Sequence, residues 1–141
     1  MMQDVVYINA LPLPASLVRA IRNGFWNTPK NREVWRSLFP EDQIVQPLLY
    51  ALGGMEGESK WLCSAGPGYL GESGEGLVPG DIDPARAVLI GDLGPDRLIA
   101  LDYRESETQP SIVSLTNTEH SCWVRVADDI ESFMRLLRLT E

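Results

Sequence analysis

The sequence contains little of the residue types that most often build reactive or metal-binding sites. It has two cysteines, Cys63 and Cys122, and a single histidine, His120, among 141 residues. Two cysteines cannot form a disulfide framework, and their spacing is not that of a zinc site. With no secretory signal in view, both are expected to be free thiols in a reducing compartment. A disulfide scaffold and a zinc module are therefore excluded.

Long apolar runs and a targeting segment are also lacking. The chain begins Met-Met-Gln-Asp-Val-Val-Tyr-Ile, which has no basic segment and only a short apolar run,. No stretch approaches the roughly 18 apolar residues that a membrane-spanning helix needs. We therefore expect a cytoplasmic protein that does not bind or cross a membrane.

An excess of cationic residues is the third absence. Twenty acidic residues against 12 basic ones give a formal net charge of −8, and the isoelectric point is near 4.6. Nucleic acids and anionic lipid surfaces are bound through cationic side chains, so neither is an expected partner. A basic protein surface remains a possible partner. Solubility alone also accounts for acidity of this kind.

The negative charge is unevenly distributed along the chain. Residues 1–40 carry a net charge of +3, whereas residues 41–141 carry −11. The most acidic stretch runs from Glu56 to Asp83, where Lys60 is the only basic residue. Clustered charge of one sign can steer the encounter with a partner of the opposite sign.

The C-terminal half has the clearest secondary-structure pattern. Short apolar runs separated by polar turns predict strands at Arg86–Gly91, Arg97–Tyr103, Ser111–Leu115 and Ser121–Ala127,. Close spacing with short polar links favours an antiparallel meander. Apolar residues at helical spacing predict a final helix over Asp128–Leu139 that packs on this sheet.

The N-terminal half is less regular. Pro14–Asn23 is predicted to be a short helix, and Glu33–Phe39 a second helix of one or two turns,. Most of the 12 glycines fall in residues 53–80, which predicts a long loop with a short strand at Lys60–Ser64,. A loop of this length in a small domain is often functional. Residues 1–141 are thus expected to form a single α+β domain, mostly antiparallel sheet, with helices at its N-terminal and C-terminal ends.

Three motifs resemble those of functional sites, but each lacks the neighbouring residues or elements that such a site requires. Gly66–Gly71 matches G-x-G-x-x-G, but no helix is expected to open within it, as a dinucleotide site requires, and the nearby charge is negative where a phosphate would lie,. Asp81–Asp83 lacks the further oxygen ligands of a calcium loop. His120 and Cys122 lie two positions apart, but no third group orients them as a nucleophilic pair. We therefore expect no catalytic residues, no metal and no cofactor.

Three segments together resemble the SUKH superfamily, which includes bacterial toxin-immunity proteins and fungal regulators of cell-wall synthesis. The first is Leu13-Pro14, a short helix and Asn23-Gly24. The second is Leu89–Asp102, which reads as a strand, a Gly-rich turn and a strand ending in a Leu-Asp pair. The third is Ser111–Val113, Trp123 and Val126-Ala127, leading into a helix that contains Phe133.

The resemblance implies a non-enzymatic α+β domain that binds other proteins. For an immunity-type member it further implies neutralisation of a cognate toxin by direct contact, and the acidic surface suits a basic toxin face. Two alternatives stay open: an intracellular regulatory or scaffold subunit, and a small ligand-binding domain or enzyme that uses the Gly-rich 53–80 loop. The acidic residues expected to bind the partner are Glu56, Glu58, Glu72, Glu75, Asp81, Asp83, Asp92 and Asp96.

Overall fold

The computed structural model describes residues 5–39, 46–65, 67–71, 79–94, 97–116 and 122–139. The described residues contain five α-helices and eight strands, in an α+β arrangement. In chain order the elements are β1 (Tyr7–Ile8), β2 (Leu11–Pro12), α1 (Ala15–Arg22), α2 (Arg32–Leu38), β3 (Leu48–Leu49), α3 (Leu52–Leu62), α4 (Pro67–Leu70), β4 (Pro79–Gly80), a 3₁₀ turn (Pro84–Arg86), β5 (Ala87–Asp92), β6 (Leu98–Asp102), β7 (Ser111–Thr116), β8 (Cys122–Ala127) and α5 (Ile130–Leu136).

A six-stranded sheet with the order β3-β5-β6-β7-β8-β4 dominates the structure. Every neighbouring pair in it is antiparallel, and β1 and β2 form a separate hairpin. The predicted meander is confirmed as β5 to β8. The two-residue strands β3 and β4 extend the sheet at its two edges, which the sequence pattern did not indicate.

Three neighbouring strands of the meander, β5, β6 and β7, are buried along nearly their whole length. Both faces of the sheet are therefore covered along these strands. The buried hydrophobic residues form one continuous cluster. Helix α3 packs on β5, and α5 packs on β7, β8 and α1.

The helices at the two ends of the chain agree with the sequence pattern. Helix α1 ends before Gly24, which has a φ of +80° and thereby terminates the helix,. Helix α5 begins two residues later than predicted, because the Asp129 carboxylate accepts a hydrogen bond from the Ser132 amide (2.8 Å) and caps the helix there,.

The prediction of a long loop over residues 53–80, with a strand at Lys60–Ser64, is wrong for its first part, and the short helix α4 (Pro67–Leu70) lies within the Gly66–Gly71 motif, where no helix was expected. Leu52–Leu62 is helix α3, although it contains three glycines. Met55, Ser59 and Leu62 form its buried side, and the Ser59 hydroxyl accepts a hydrogen bond from the Leu89 amide of β5 (2.9 Å). Packing on β5 thus outweighs the poor helix propensity of glycine, which reaches about 1 kcal/mol per residue.

No helix in the described part of the chain is both long and apolar enough to cross a membrane.

Candidate functional site

The acidic residues predicted to form one surface lie in three separate places. Glu56 and Glu58 are exposed on α3, not on a loop. Asp81 and Asp83 lie between β4 and the 3₁₀ turn, and Asp92 ends β5. The remaining predicted residues, Glu72, Glu75 and Asp96, lie outside the described residues.

Asp81 and Asp83 have structural partners within the fold. The Arg104 guanidinium donates to the Asp81 carboxylate (2.8 Å) and to both oxygens of the buried Asp102 (3.1 Å each). Burial lowers the pKa of Arg104, but the hydrogen bonds and charges of Asp102 and Asp81 raise it more, so the guanidinium stays charged. The Asp83 carboxylate accepts a hydrogen bond from the Ala85 amide (3.0 Å) and caps the 3₁₀ turn. This end of the sheet is therefore less negative than the sequence indicated.

Asp92 is bonded by a residue that the sequence pattern did not single out. The Tyr50 hydroxyl donates a hydrogen bond to Asp92 Oδ2 at 2.6 Å. Burial raises the pKa of Tyr50, and the hydrogen bond to Asp92 and the charges of Asp92 and Glu58 raise it further. The phenol therefore stays protonated and acts only as a donor toward Asp92.

The Asp92 carboxylate is held in a fixed position at the end of β5. Besides the bond from Tyr50, its Oδ1 accepts a hydrogen bond from the Gly94 amide at 3.0 Å. Partial burial raises the pKa of Asp92, and these two hydrogen bonds offset part of that rise. The side chain is thus an oriented acceptor in a partly dehydrated setting, where a charged hydrogen-bond donor is favoured.

The Asp92 side chain lines a cleft of about 370 Å³ at one edge of the sheet, which we call the acidic cleft. Among the residues that the structure describes, Gln46, Pro47, Leu48 and Gly94 also line it. Leu48 lies on the edge strand β3 and is 49% exposed. An exposed leucine beside a held carboxylate offers both an apolar contact and a charged one.

The position of β3 depends on a glycine in β5. A Cβ atom at Gly91 would lie 2.6 Å from the Leu48 carbonyl oxygen, closer than atoms can pack. Only glycine lets the two strands approach in this way. Gly91 therefore sets the wall of the acidic cleft.

The cysteines and tryptophans have clear settings. Cys122 is buried, which raises its thiol pKa and disfavours a nucleophilic thiolate,; its predicted neighbour His120 lies outside the described residues. Cys63 is exposed. Trp26 is buried, whereas Trp61 is 41% exposed and packs edge-on against Tyr69, with ring centroids 4.9 Å apart. No three His, Cys, Asp or Glu side chains in the described ranges are grouped to hold a metal ion.

Sequence reasoning missed Tyr50, Leu48 and Gly94 as parts of this site. The first two lie in a segment that Pro47 interrupts, so neither helical nor strand periodicity could assign it. The turn chemistry after β5 did predict a loop at Gly94, but not its amide as a donor to Asp92.

The chain matches no protein-family model, and no curated protein and no solved structure is significantly similar to it.

Proposed function

We propose that this protein is a non-enzymatic, cytoplasmic protein-binding module of the immunity type, which neutralises a cognate toxin by direct contact. The observation that carries the proposal is the acidic cleft, where Asp92 is held by two donors beside the exposed Leu48. A basic side chain of a partner protein fits this combination, because its charged end can bond Asp92 while its aliphatic part packs on Leu48.

Two further features support the same partner. The resemblance to the SUKH superfamily implies a binding domain without an active site. The net charge of −11 on residues 41–141 favours fast association with a basic surface,. A regulatory or scaffold subunit would use the same surface, but its partner would not be toxic.

The test uses the protein encoded next to this chain in its native genome. If that protein arrests growth when produced alone, co-production of this chain should restore growth. Asp92→Arg should weaken binding of the purified pair at least tenfold, because it places two like charges in contact, and Leu48→Asp should weaken it to a lesser degree. Glu107→Arg, on an exposed acidic residue outside the cleft, is the matched control.

Tight binding that both cleft variants leave unchanged would remove the acidic cleft from the proposal. A partner that is not toxic, yet binds through Asp92, would favour the regulatory subunit instead.

A further inference from the structure

A second cleft of about 370 Å³ lies where the segment after α1 meets the end of α5. Gly24, Phe25 and residues 27–31 form one wall, and Leu137–Leu139 form the other. We call it the basic cleft. Its apolar lining residues Val34 and Leu137 are buried, and Phe25 and Leu139 are partly buried. The interior of the cleft therefore offers an apolar contact surface.

The charged residues of the basic cleft are all cationic. Lys30 and Arg138 line it and are exposed, and no Asp or Glu side chain is among its described lining residues. Neither cation forms an ion pair within the part of the chain that the structure describes. On a protein with a net charge of −8, this cleft is thus a local site of positive potential,.

The backbone of Arg138 gives an independent reason to look at this cleft. Its amide donates to the Arg135 carbonyl (3.0 Å), and the Leu139 amide donates to the Met134 carbonyl (2.8 Å). This is the Schellman ending of a helix, in which the residue with positive φ is usually glycine. Arg138 occupies that position with a φ of 60°. A strained arginine in place of glycine, with its side chain at a cleft, points to a role for the guanidinium.

Two uncharged side chains add hydrogen-bond donors to the lining. Thr28 Oγ1 accepts a hydrogen bond from the Leu49 amide (2.9 Å), so its hydroxyl hydrogen is left to donate,. Asn31 Oδ1 accepts a hydrogen bond from the Glu33 amide (2.9 Å), which leaves the Asn31 side-chain NH₂ as a donor,. The polar part of the cleft therefore supplies donors from Lys30, Arg138, Thr28 and Asn31.

We propose that the basic cleft binds a small organic anion, a carboxylate or a phosphate monoester that carries an apolar group. The anionic group bonds Lys30 and Arg138 at the rim, and the apolar group packs on the partly exposed side chains of Phe25 and Leu139. The volume is within the range of small-molecule sites, which begins at about 300 Å³. This site shares no lining residue with the acidic cleft, so it is independent of the proposed function.

Benzoate and phenyl phosphate are suitable probes, because each joins one anionic group to one ring. Titration of the ¹⁵N-labelled full chain, followed by backbone amide shifts, locates each probe and gives its Kd. We expect shifts confined to residues 24–31 and 137–139, with a Kd of about 1 mM or below for the better probe. The stronger of the two identifies the anion class. Benzyl alcohol and acetate, which lack the charge and the ring respectively, should bind at least about fivefold more weakly.

Lys30→Gln and Arg138→Asn each remove one charge, and asparagine tolerates the positive φ at position 138. Each should weaken binding about two- to fivefold. Lys60→Gln and Arg36→Gln are matched controls outside the cleft and should leave the Kd unchanged. Equal binding of benzyl alcohol and benzoate, shifts centred elsewhere, no saturable shift with either anion, or unchanged Kd values in both cleft variants would each overturn the proposal.

Discussion

The two clefts have the same volume, about 370 Å³, but opposite charge. Among the described lining residues, Asp92 is the charged one in the acidic cleft, whereas Lys30 and Arg138 are those of the basic cleft. They also differ in construction. The acidic cleft is built at a sheet edge and holds its carboxylate with two hydrogen bonds. The basic cleft lies between a loop and a helix end, and its cations are exposed.

This difference teaches what each cleft can recognise. A fixed acceptor beside an exposed edge strand suits one particular side chain of a large partner. Exposed cations on long side chains beside apolar residues suit a small anion whose exact shape matters less, because such side chains adapt to their ligand. The net charge of −8 does not show that the chain carries one negative and one positive cleft.

Trp26 lies between Phe25 and Asn27, which line the basic cleft, and bonds Tyr50, which holds Asp92 of the acidic cleft, so its removal should have the largest effect. Trp26 belongs to the segment that forms the basic cleft, is 8% exposed, and donates its indole N–H to the carbonyl of Tyr50 (2.9 Å). We expect Trp26→Ala to lower the free energy of unfolding by about 3–5 kcal/mol, measured by urea denaturation. Backbone amide shifts should change in both clefts.

Trp61→Ala is the matched control, because Trp61 is 41% exposed and touches neither cleft. Its loss should reduce stability by about 1 kcal/mol. If Trp26→Ala changed the amide shifts of one cleft only, the view that Trp26 links the two would be wrong.

The next largest effect should alter the acidic cleft and leave the basic cleft unchanged. Gly91→Ala places a methyl group 2.6 Å from the Leu48 carbonyl oxygen, which forces β3 away from β5. We expect a loss of about 1–3 kcal/mol in unfolding free energy, because a backbone atom cannot yield as a flexible side chain does. Amide shifts should change around Gln46–Leu49 while Lys30 and its neighbours keep theirs.

Gly57→Ala provides the control for this substitution. A Cβ atom there meets nothing within 4 Å, so the alanine should stabilise α3 by about 1 kcal/mol,. Equal destabilisation by both substitutions would contradict the role given to Gly91.

A smaller effect, of opposite sign, is expected at the basic cleft. Arg138→Gly relieves the positive φ of 60° at the end of α5 and should stabilise the protein by about 1 kcal/mol in urea denaturation,. Arg135→Gly, inside the same helix, should instead destabilise it by about 1 kcal/mol. A loss of stability in Arg138→Gly would show that the arginine side chain is needed for folding, so that its positive φ would no longer point to a ligand.

The sequence predicted the meander and both terminal helices well, because their patterns are local. Ile130, Phe133 and Met134 recur at helical spacing and are buried as that spacing requires. Helix α3 could not be predicted in this way, since its buried side depends on contacts with β5, which lies far along the chain. Glycine-rich composition indicated a loop, and tertiary packing overrode it.

The candidate sites were less predictable than the fold. Charge clustering pointed to Asp92 but also to Asp81, which an ion pair with Arg104 holds within the fold. Sequence separation of 42 residues hid the contact between Tyr50 and Asp92. The basic cleft could not be predicted from the sequence, because Lys30 and Arg138 are far apart along the chain. The net charge does not show that two such residues line the same cleft.

The smallest effect concerns the charge of Asp92 itself. Partial burial raises its pKa above the ordinary value of 3.8, so the folded state disfavours the ionised carboxylate. Its contribution to stability is therefore best below pH 3.8 and declines as the pH rises through the folded pKa,. Asp92→Asn, which keeps an acceptor for Tyr50, should accordingly raise stability more at pH 7 than at pH 4. The gain should be below about 1 kcal/mol, because the half-exposed carboxylate is still solvated.

Asp129→Asn is the matched comparison. Hydrogen bonds from Ser132 lower the pKa of Asp129, so its stability should change with pH in the opposite direction to that of Asp92. Its carboxylate stabilises the fold above the ordinary pKa of 3.8 and loses that effect as the pH falls, so its replacement should cost more at pH 7 than at pH 4,. Chemical denaturation of both variants at the two pH values measures the slopes. If Asp92→Asn also lost binding to the proposed partner while it gained stability, the carboxylate would serve that partner at the expense of the fold. Parallel slopes in the two variants would mean that burial does not govern Asp92.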